Sequence, residues 1–163
     1  YIEAYCEYYE MQSFIFRFVS WIGERYSHGV IYDFVKKLQN NPSQLEILGN
    51  GLQKKSYLYV KDGVTGIFKA MEVFKKKKNI FNLGHTDYIP VTDLAGIVID
   101  EMGLKNVEFR FTGGDRGWIG DSPLVSLDVS KLNNNGWRAE TSLEEGIRRT
   151  TRYLLDNPET LVR

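Results

Sequence analysis

The residues best placed to do chemistry lie late in the chain, where the apolar stretch VEFRF runs into Thr112, Gly113, Gly114, Gly117 and Gly120. A strand followed by G-x-x-G-x-x-G spacing imitates a dinucleotide-binding loop, but such a loop must open directly into a helix whose N-terminus faces the pyrophosphate. Here Asp121, Ser122, Pro123 and the strand-like LVSLDV follow, and the remaining chain is too short for a dinucleotide-binding half. The motif is therefore set aside. Asp115 and Asp121 form a carboxylate pair, yet only their closeness in sequence suggests a hydrolase. His28, His85 and Cys6 share no metal-ligand spacing, so no metal is assigned, and no nucleophile-elbow sequence marks a Ser-His-Asp hydrolase. The run Lys75 to Lys78 closes a helical pattern, where cations meet the helix dipole, and is read as that rather than as a nucleic-acid patch.

Charge supports this exclusion. Lys plus Arg and Asp plus Glu number 21 each, so no net field favours nucleic acid or an anionic membrane, and a small-molecule ligand fits better. No apolar run approaches the roughly 20 residues needed to span a bilayer. The single cysteine, Cys6, cannot form an internal disulfide, which suggests a reducing, cytoplasmic setting. The chain starts at Tyr1, inside a helical pattern and without Met, which suggests a fragment or processed product.

Alternating strands and helices must position any site. Residues 1–10 form a helix with Glu3, Glu7 and Glu10 on one face and aromatic residues around the rest. Residues 13–19 read as a nearly continuous apolar strand, as in the interior of a parallel sheet. Val30, Ile31, Phe34, Val35 and Leu38 recur at helical spacing up to Asn40. Short strands are expected at 45–48 and 56–60 around the Gly49-Asn50-Gly51 turn. A helix capped by Asp62 carries Val64, Ile67, Phe68, Met71 and Phe74. A strand at 79–83, a helix at 90–102 with Pro in its first turn and Gly103 at its stop, and a strand at 107–111 follow. Thr141 or Ser142, with Glu144 or Glu145 three residues on, makes a capping box for the last helix. Trp137 reads as a packing residue rather than a stacking platform, and Arg17 as the partner of a buried carboxylate. The pattern is α/β.

Taken in order, these segments resemble the extended short-chain dehydrogenases that act on nucleotide sugars, the UDP-glucose 4-epimerase-like epimerases and dehydratases. AYCEYYEMQSFIFRFVSWIGER resembles the block after the catalytic Tyr-x-x-x-Lys pair, and HGVIYDFVKKL the GVIPxF helix. LEILGNGLQKKSYLYVKD is similar to LxIYGDGxQxRDFIYVxD, IFNLGHTDYIPVTDLAGIV to YNIGxxxxxSVxELAxxI, and RGWIGDSPLVSLDVSKLNNNGW to the late R-x-GD block. SLEEGIRRT matches the closing helix. The resemblance implies the C-terminal part of a Rossmann-type protein. Residues 1–26 would supply a terminal helix and strand of the dinucleotide-binding domain. Residues 27–163 would form mainly a small α/β substrate-binding lobe, with 57–83 packing back on the dinucleotide sheet.

By the same resemblance, Arg116 stands where the family places an arginine on the nucleotide diphosphate, in a glycine-rich turn where backbone can approach a ligand. Lys55 takes the second cationic position, usually Arg, with Lys54 as its competitor. Ser20 replaces an Asn in the NVYGP block. Gly29, Val30 and Ile31 would line the base pocket, and Leu48 with Gly49 would cover the base; core packing is the alternative for the apolar ones. Asp121 meets a ribose or sugar hydroxyl, or anchors the turn.

The resemblance further implies that the catalytic Tyr and Lys and the NAD-binding loop lie upstream of Tyr1. NAD would then be held by that N-terminal part of the full-length enzyme, with none on this chain alone and no hydride transfer by it. The implied partners are a nucleotide sugar, in the first place a UDP-sugar, and the missing half or a homodimer mate covering the apolar surface of residues 1–20. The alternative is a non-catalytic nucleotide-binding or interaction module with the same fold, which the departures at Ser20, Leu48 and Lys55 keep open.

Overall fold

The computed structural model describes residues 1–122, 124–125 and 127–162. It places α1 at Ile2–Tyr8, β1 at Ser13–Phe18, β2 at Ser20–Ile22, α2 at Val30–Asn40, β3 at Gln44–Ile47, β4 at Lys54–Lys55 and β5 at Tyr57–Tyr59. There follow α3 at Val60–Val73, β6 at Lys78–Leu83, β7 at Ile89–Pro90, α4 at Val91–Glu101, β8 at Glu108–Phe111 and β9 at Leu124–Val125. The chain closes with α5 at Ser130–Asn133, α6 at Leu143–Asp156 and a 3-10 turn at Pro158–Val162. β9 covers only the start of LVSLDV; Pro123 and Ser126 lie outside the described residues.

Pairing is mostly parallel and long-range, as an α/β chain requires. β1 pairs with β6, β2 with β5, and β3 with β8, all parallel, while β4 sits between β7 and β9. The two segments beside the Gly49-Asn50-Gly51 turn therefore do not pair with each other: β3 reaches forward to β8, and β5 back to β2.

Two apolar cores result. In one, α2, α4 and α6 pack on one another and on β3, burying Ile31, Val35, Leu38, Leu45, Ile47, Leu94, Val98, Ile147 and Leu154. The periodicity of each helix supplies its buried stripe. In α6 the start is fixed by Ser142, whose Oγ accepts the Glu145 N–H at 3.2 Å, as the capping box predicts. In the other core, Phe81, Leu83, Leu58, Ala70, Leu132 and Trp137 gather beneath α3 and the β1/β6 pair. Trp137 is a packing residue, with its Nε1 donating to Thr65 Oγ1 at 3.1 Å.

Three expectations are corrected. Asp62 does not cap α3, because that helix starts two residues earlier at Val60. Its carboxylate sits buried in the first turn and accepts the Thr141 N–H at 3.0 Å, which ties α3 to the approach of α6. Pro90 is the N-cap of α4 rather than a first-turn residue. β1 is not an enclosed strand: its side chains are half-buried or exposed, and among the described residues only β6 pairs with it. The lysine run lies beyond the last turn of α3 rather than closing it: Lys75 Nζ reaches back to the Met71 carbonyl at 3.1 Å, while Lys77 and Lys78, the latter the first residue of β6, pair with Glu7 and Glu3 of α1.

Candidate functional site

A cavity of about 280 Å³ opens where the start of α2, the end of β3, β4 and β5 and the 112–122 loop converge. Its position follows from register. Ser20 of β2 lies opposite Tyr57 of β5, and Lys55 of β4 lies opposite Val125, so three strand segments deliver polar residues to one place. Of the residues singled out in the sequence, Ser20, Gly29, Val30, Leu48, Lys55 and Asp121 line this cavity.

Lys55 and Asp121 face each other as an ion pair that is only partly exposed. Asp121 also accepts the Gly117 N–H on its other oxygen at 3.1 Å. Burial acts to raise this carboxyl, but the bonds from Lys55 and the Gly117 N–H outweigh it and hold Asp121 below the usual carboxylate range. Asp121 thus anchors the loop and occupies the lysine at once.

On the α2 side the helix starts at Gly29, whose φ of +103° puts it in the region glycine tolerates. A Cβ built there would meet Tyr26 Oη at 2.2 Å, so the close approach of the tyrosine hydroxyl also requires glycine. Burial raises the Tyr26 and Tyr57 phenols well above their ordinary range; the charge of Asp33 adds to this for Tyr26, and Tyr26 and Asp121 add to it for Tyr57. Both remain neutral hydroxyls, able to donate or accept. The positive end of the α2 dipole lies beside them.

Three singled-out residues do not line the cavity. Ile31 points into the core and is fully buried among α2, α4 and α6. Gly49 is buried, and a Cβ there would run into Gln53 Nε2 and meet the Arg116 backbone carbon at 3.1 Å. Arg116 is exposed and directs Nη1 to the Ile119 carbonyl at 3.4 Å, on a separate shallow depression shared with Gly114, Asp115, Trp118 and Ile119. The loop around it contains turns and no helix, so it lacks the strand-loop-helix context of a dinucleotide site.

Sequence reading missed several lining residues. Asp33, Phe34 and Lys37 share the cavity with Val30, and their spacing of three, four and seven places them on one helical face. That signal was available. Tyr57 and Gln53 needed the strand register. Gln53 is buried, donates Nε2 to the Leu48 carbonyl at 3.2 Å, and leaves its Oε1 without a partner among the described residues. Lys37 is held away by Glu46 at 3.0 Å. Among the described residues no cluster of His, Cys, Asp and Glu could hold a metal ion, and no helix is long and apolar enough to cross a membrane.

Comparison with known proteins bears on this geometry. The family model described as "NAD dependent epimerase/dehydratase family" matches residues 1–84. The chain is 29% identical over 164 residues to a putative UDP-glucose 4-epimerase of Methanocaldococcus jannaschii, covering 98% of this chain and 51% of that protein. It is 28% identical over 164 residues to the dTDP-D-glucose 4,6-dehydratase of Homo sapiens, covering 96% and 45%. Among solved structures, a UDP-galactose 4-epimerase superposes with a TM-score of 0.80 at 33% identity, over 94% of this chain and 49% of that one. The Thermotoga maritima UDP-glucose 4-epimerase with UDP-glucose shares the fold at a TM-score of 0.81 and 24% identity, over 97% and 50%. The chain thus spans about half the length of the curated relatives it matches. The Rossmann-type α/β fold agrees, and the chain belongs to the NAD-dependent epimerase/dehydratase family.

Proposed function

We propose that this chain is the nucleotide-sugar-binding portion of an NAD-dependent epimerase or dehydratase, taking a UDP-sugar in the cavity between α2 and the 112–122 loop. The observation that carries the reading is the convergence of Ser20, Gly29, Val30, Leu48, Lys55 and Asp121 on one cavity, although they come from five separate segments. Val30, Phe34, Ile47, Leu48 and Val91 supply apolar walls for a base, Tyr26 and Tyr57 supply neutral hydroxyls, and Lys55 beside the α2 N-terminus supplies the cation for a diphosphate. The diphosphate competes with Asp121 for Lys55, so binding requires the loop anchor to yield or to share its lysine. Arg116 joins the phosphate only if the same loop turns it from Ile119 toward the cavity.

In this reading residues 1–26 and 57–83 belong with a dinucleotide-binding sheet that continues beyond the free edge of β1, and most of 27–163 is the substrate lobe. NAD, the catalytic Tyr and the Lys are supplied outside this chain, and the chain alone performs no hydride transfer. A non-catalytic nucleotide-binding module is the second reading, favoured by the pairing of Lys55 and the outward pose of Arg116.

Calorimetric titration of UDP against uridine tests the proposal. UDP is expected to bind at least about tenfold more tightly, equivalent to about 1.4 kcal/mol from the diphosphate. Equal affinities would remove the diphosphate assignment. Binding of UDP without activity on a UDP-sugar, when the chain is joined to a family N-terminal half, would favour the second reading.

A further inference from the structure

A second cavity, of about 290 Å³, shares no lining residue with the first; it lies at the carboxyl end of β6 and is lined by Gly84, His85, Thr86, Asn133, Arg138 and Ala139. Ligands of open α/β sheets bind in crevices at the carboxyl ends of parallel strands, and β1 and β6 form such a parallel pair. Each of the four polar side chains in the lining can donate a hydrogen bond. Among the described residues, the side chains of Thr86, Asn133 and Arg138 have no hydrogen-bond or ion-pair partner, although each lines the cavity. His85 Nδ1 accepts the Asp87 N–H at 3.0 Å. A nitrogen that accepts carries no proton, so the neutral ring carries its hydrogen on Nε2 and is a donor there. The segment is held from behind, with Ser56 Oγ donating to the His85 carbonyl at 3.1 Å.

We propose that this cavity is a phosphate-binding site, independent of the nucleotide reading, that takes inorganic phosphate or the phosphate of a small phosphomonoester. A guanidinium fork, a hydroxyl, an imidazole N–H and a carboxamide together match an oxyanion with several acceptor oxygens. Among the described residues no carboxylate lines the cavity; the Asp87 carboxylate is largely exposed and 3.6 Å from Nδ1, the nitrogen opposite the donor. The volume exceeds what a bare oxyanion fills and leaves room for a small carried group.

The test is a titration of the 163-residue chain with inorganic phosphate, glucose 1-phosphate and acetate, followed by backbone amide chemical shifts. Phosphate is expected to shift Gly84, Thr86, Arg138 and Ala139 saturably, with acetate far weaker. Glucose 1-phosphate binding more tightly than phosphate identifies a phosphomonoester as the ligand; equal binding identifies the phosphate alone. Arg138→Ala, an exposed position, is expected to weaken binding at least about tenfold. Arg138→Lys keeps the charge without the fork and falls between, and Thr86→Val weakens binding less. Absence of saturable shifts at these amides overturns the proposal. So does unchanged affinity in Arg138→Ala, or acetate binding as tightly as phosphate. Shifts confined to Lys55 and Gly117 would assign the anion to the nucleotide cavity instead and overturn it equally.

Discussion

The layer built by α2, β3, β8, α4 and α6 and the layer built by α1, β1, β6 and α3 both rest on parallel strand pairs, but they finish differently. The first buries its core beneath its own three helices and leaves Phe111 at the end of β8 exposed. The second buries Phe81 and Leu83 beneath α3 and Trp137, yet leaves Tyr1, Ile2, Tyr5, Tyr8, Tyr9, Met11, Phe18 and Phe68 exposed and one edge of β1 without a partner among the described residues. A surface this apolar is uncommon on a self-sufficient unit. The cavity proposed for the nucleotide opens beside the layer that closes its own core. The comparison teaches that the cavity is held by local packing, while the adjoining sheet leaves apolar surface exposed.

The comparison can be broken in several ways. The largest effect is expected in the closed layer: Leu154→Ala should cost about 2–5 kcal/mol in urea unfolding, because a fully buried side chain leaves a cavity. A loss under about 1 kcal/mol would show the core to be loose. Next, Ser142→Ala removes the α6 cap and should cost about 1 kcal/mol, seen as a lower unfolding midpoint at unchanged slope.

A smaller effect concerns pH. Asp121 has a folded pKa below its unfolded value of about 3.9, so its contribution is present above that pH and disappears as pH falls through the folded value. Asp121→Asn should therefore flatten the acid limb of the stability curve below about pH 4 and leave little pH dependence of its own above it. An identical acid limb in the variant would contradict the Lys55–Asp121 account. The smallest effect belongs to the open layer. Tyr8→Ser should change stability by no more than about 0.5 kcal/mol, while Tyr5→Ser with Tyr8→Ser lowers binding of a hydrophobic dye. A parent chain that sediments as a compact monomer and binds no dye would end the distinction between the layers.

The helices of the closed layer were legible because 3.6-residue periodicity is local: the stripe Ile31, Val35, Leu38 announces α2, and Ser142 with Glu145 announces the start of α6. Strand partners were not. Leu45 meets Phe109 across four intervening strands, β4 to β7, and two helices, α3 and α4, and nothing near Leu45 encodes that register. The interior character assigned to β1 came from its composition, and composition alone does not say which neighbours cover a strand. For the proposed site, block order picked out Ser20, Gly29, Lys55 and Asp121, which share one cavity, but side-chain direction escaped it. Gly113 and Gly114, with φ of +83° and +81°, steer the loop so that Arg116 faces Ile119. Asp33 and Lys37 were readable from helical spacing once Val30 was chosen, and Tyr57 became visible only through its register with Ser20.

The most direct measurement of the central claim is an amide-shift titration of the chain with UDP, alongside the Lys55→Ala variant. The account predicts saturable shifts at Gly29, Val30, Lys55 and Gly117, none along Phe14 to Phe18, and a marked loss of affinity in the variant. Shifts centred on β1, or UDP binding unchanged by Lys55→Ala, would contradict it.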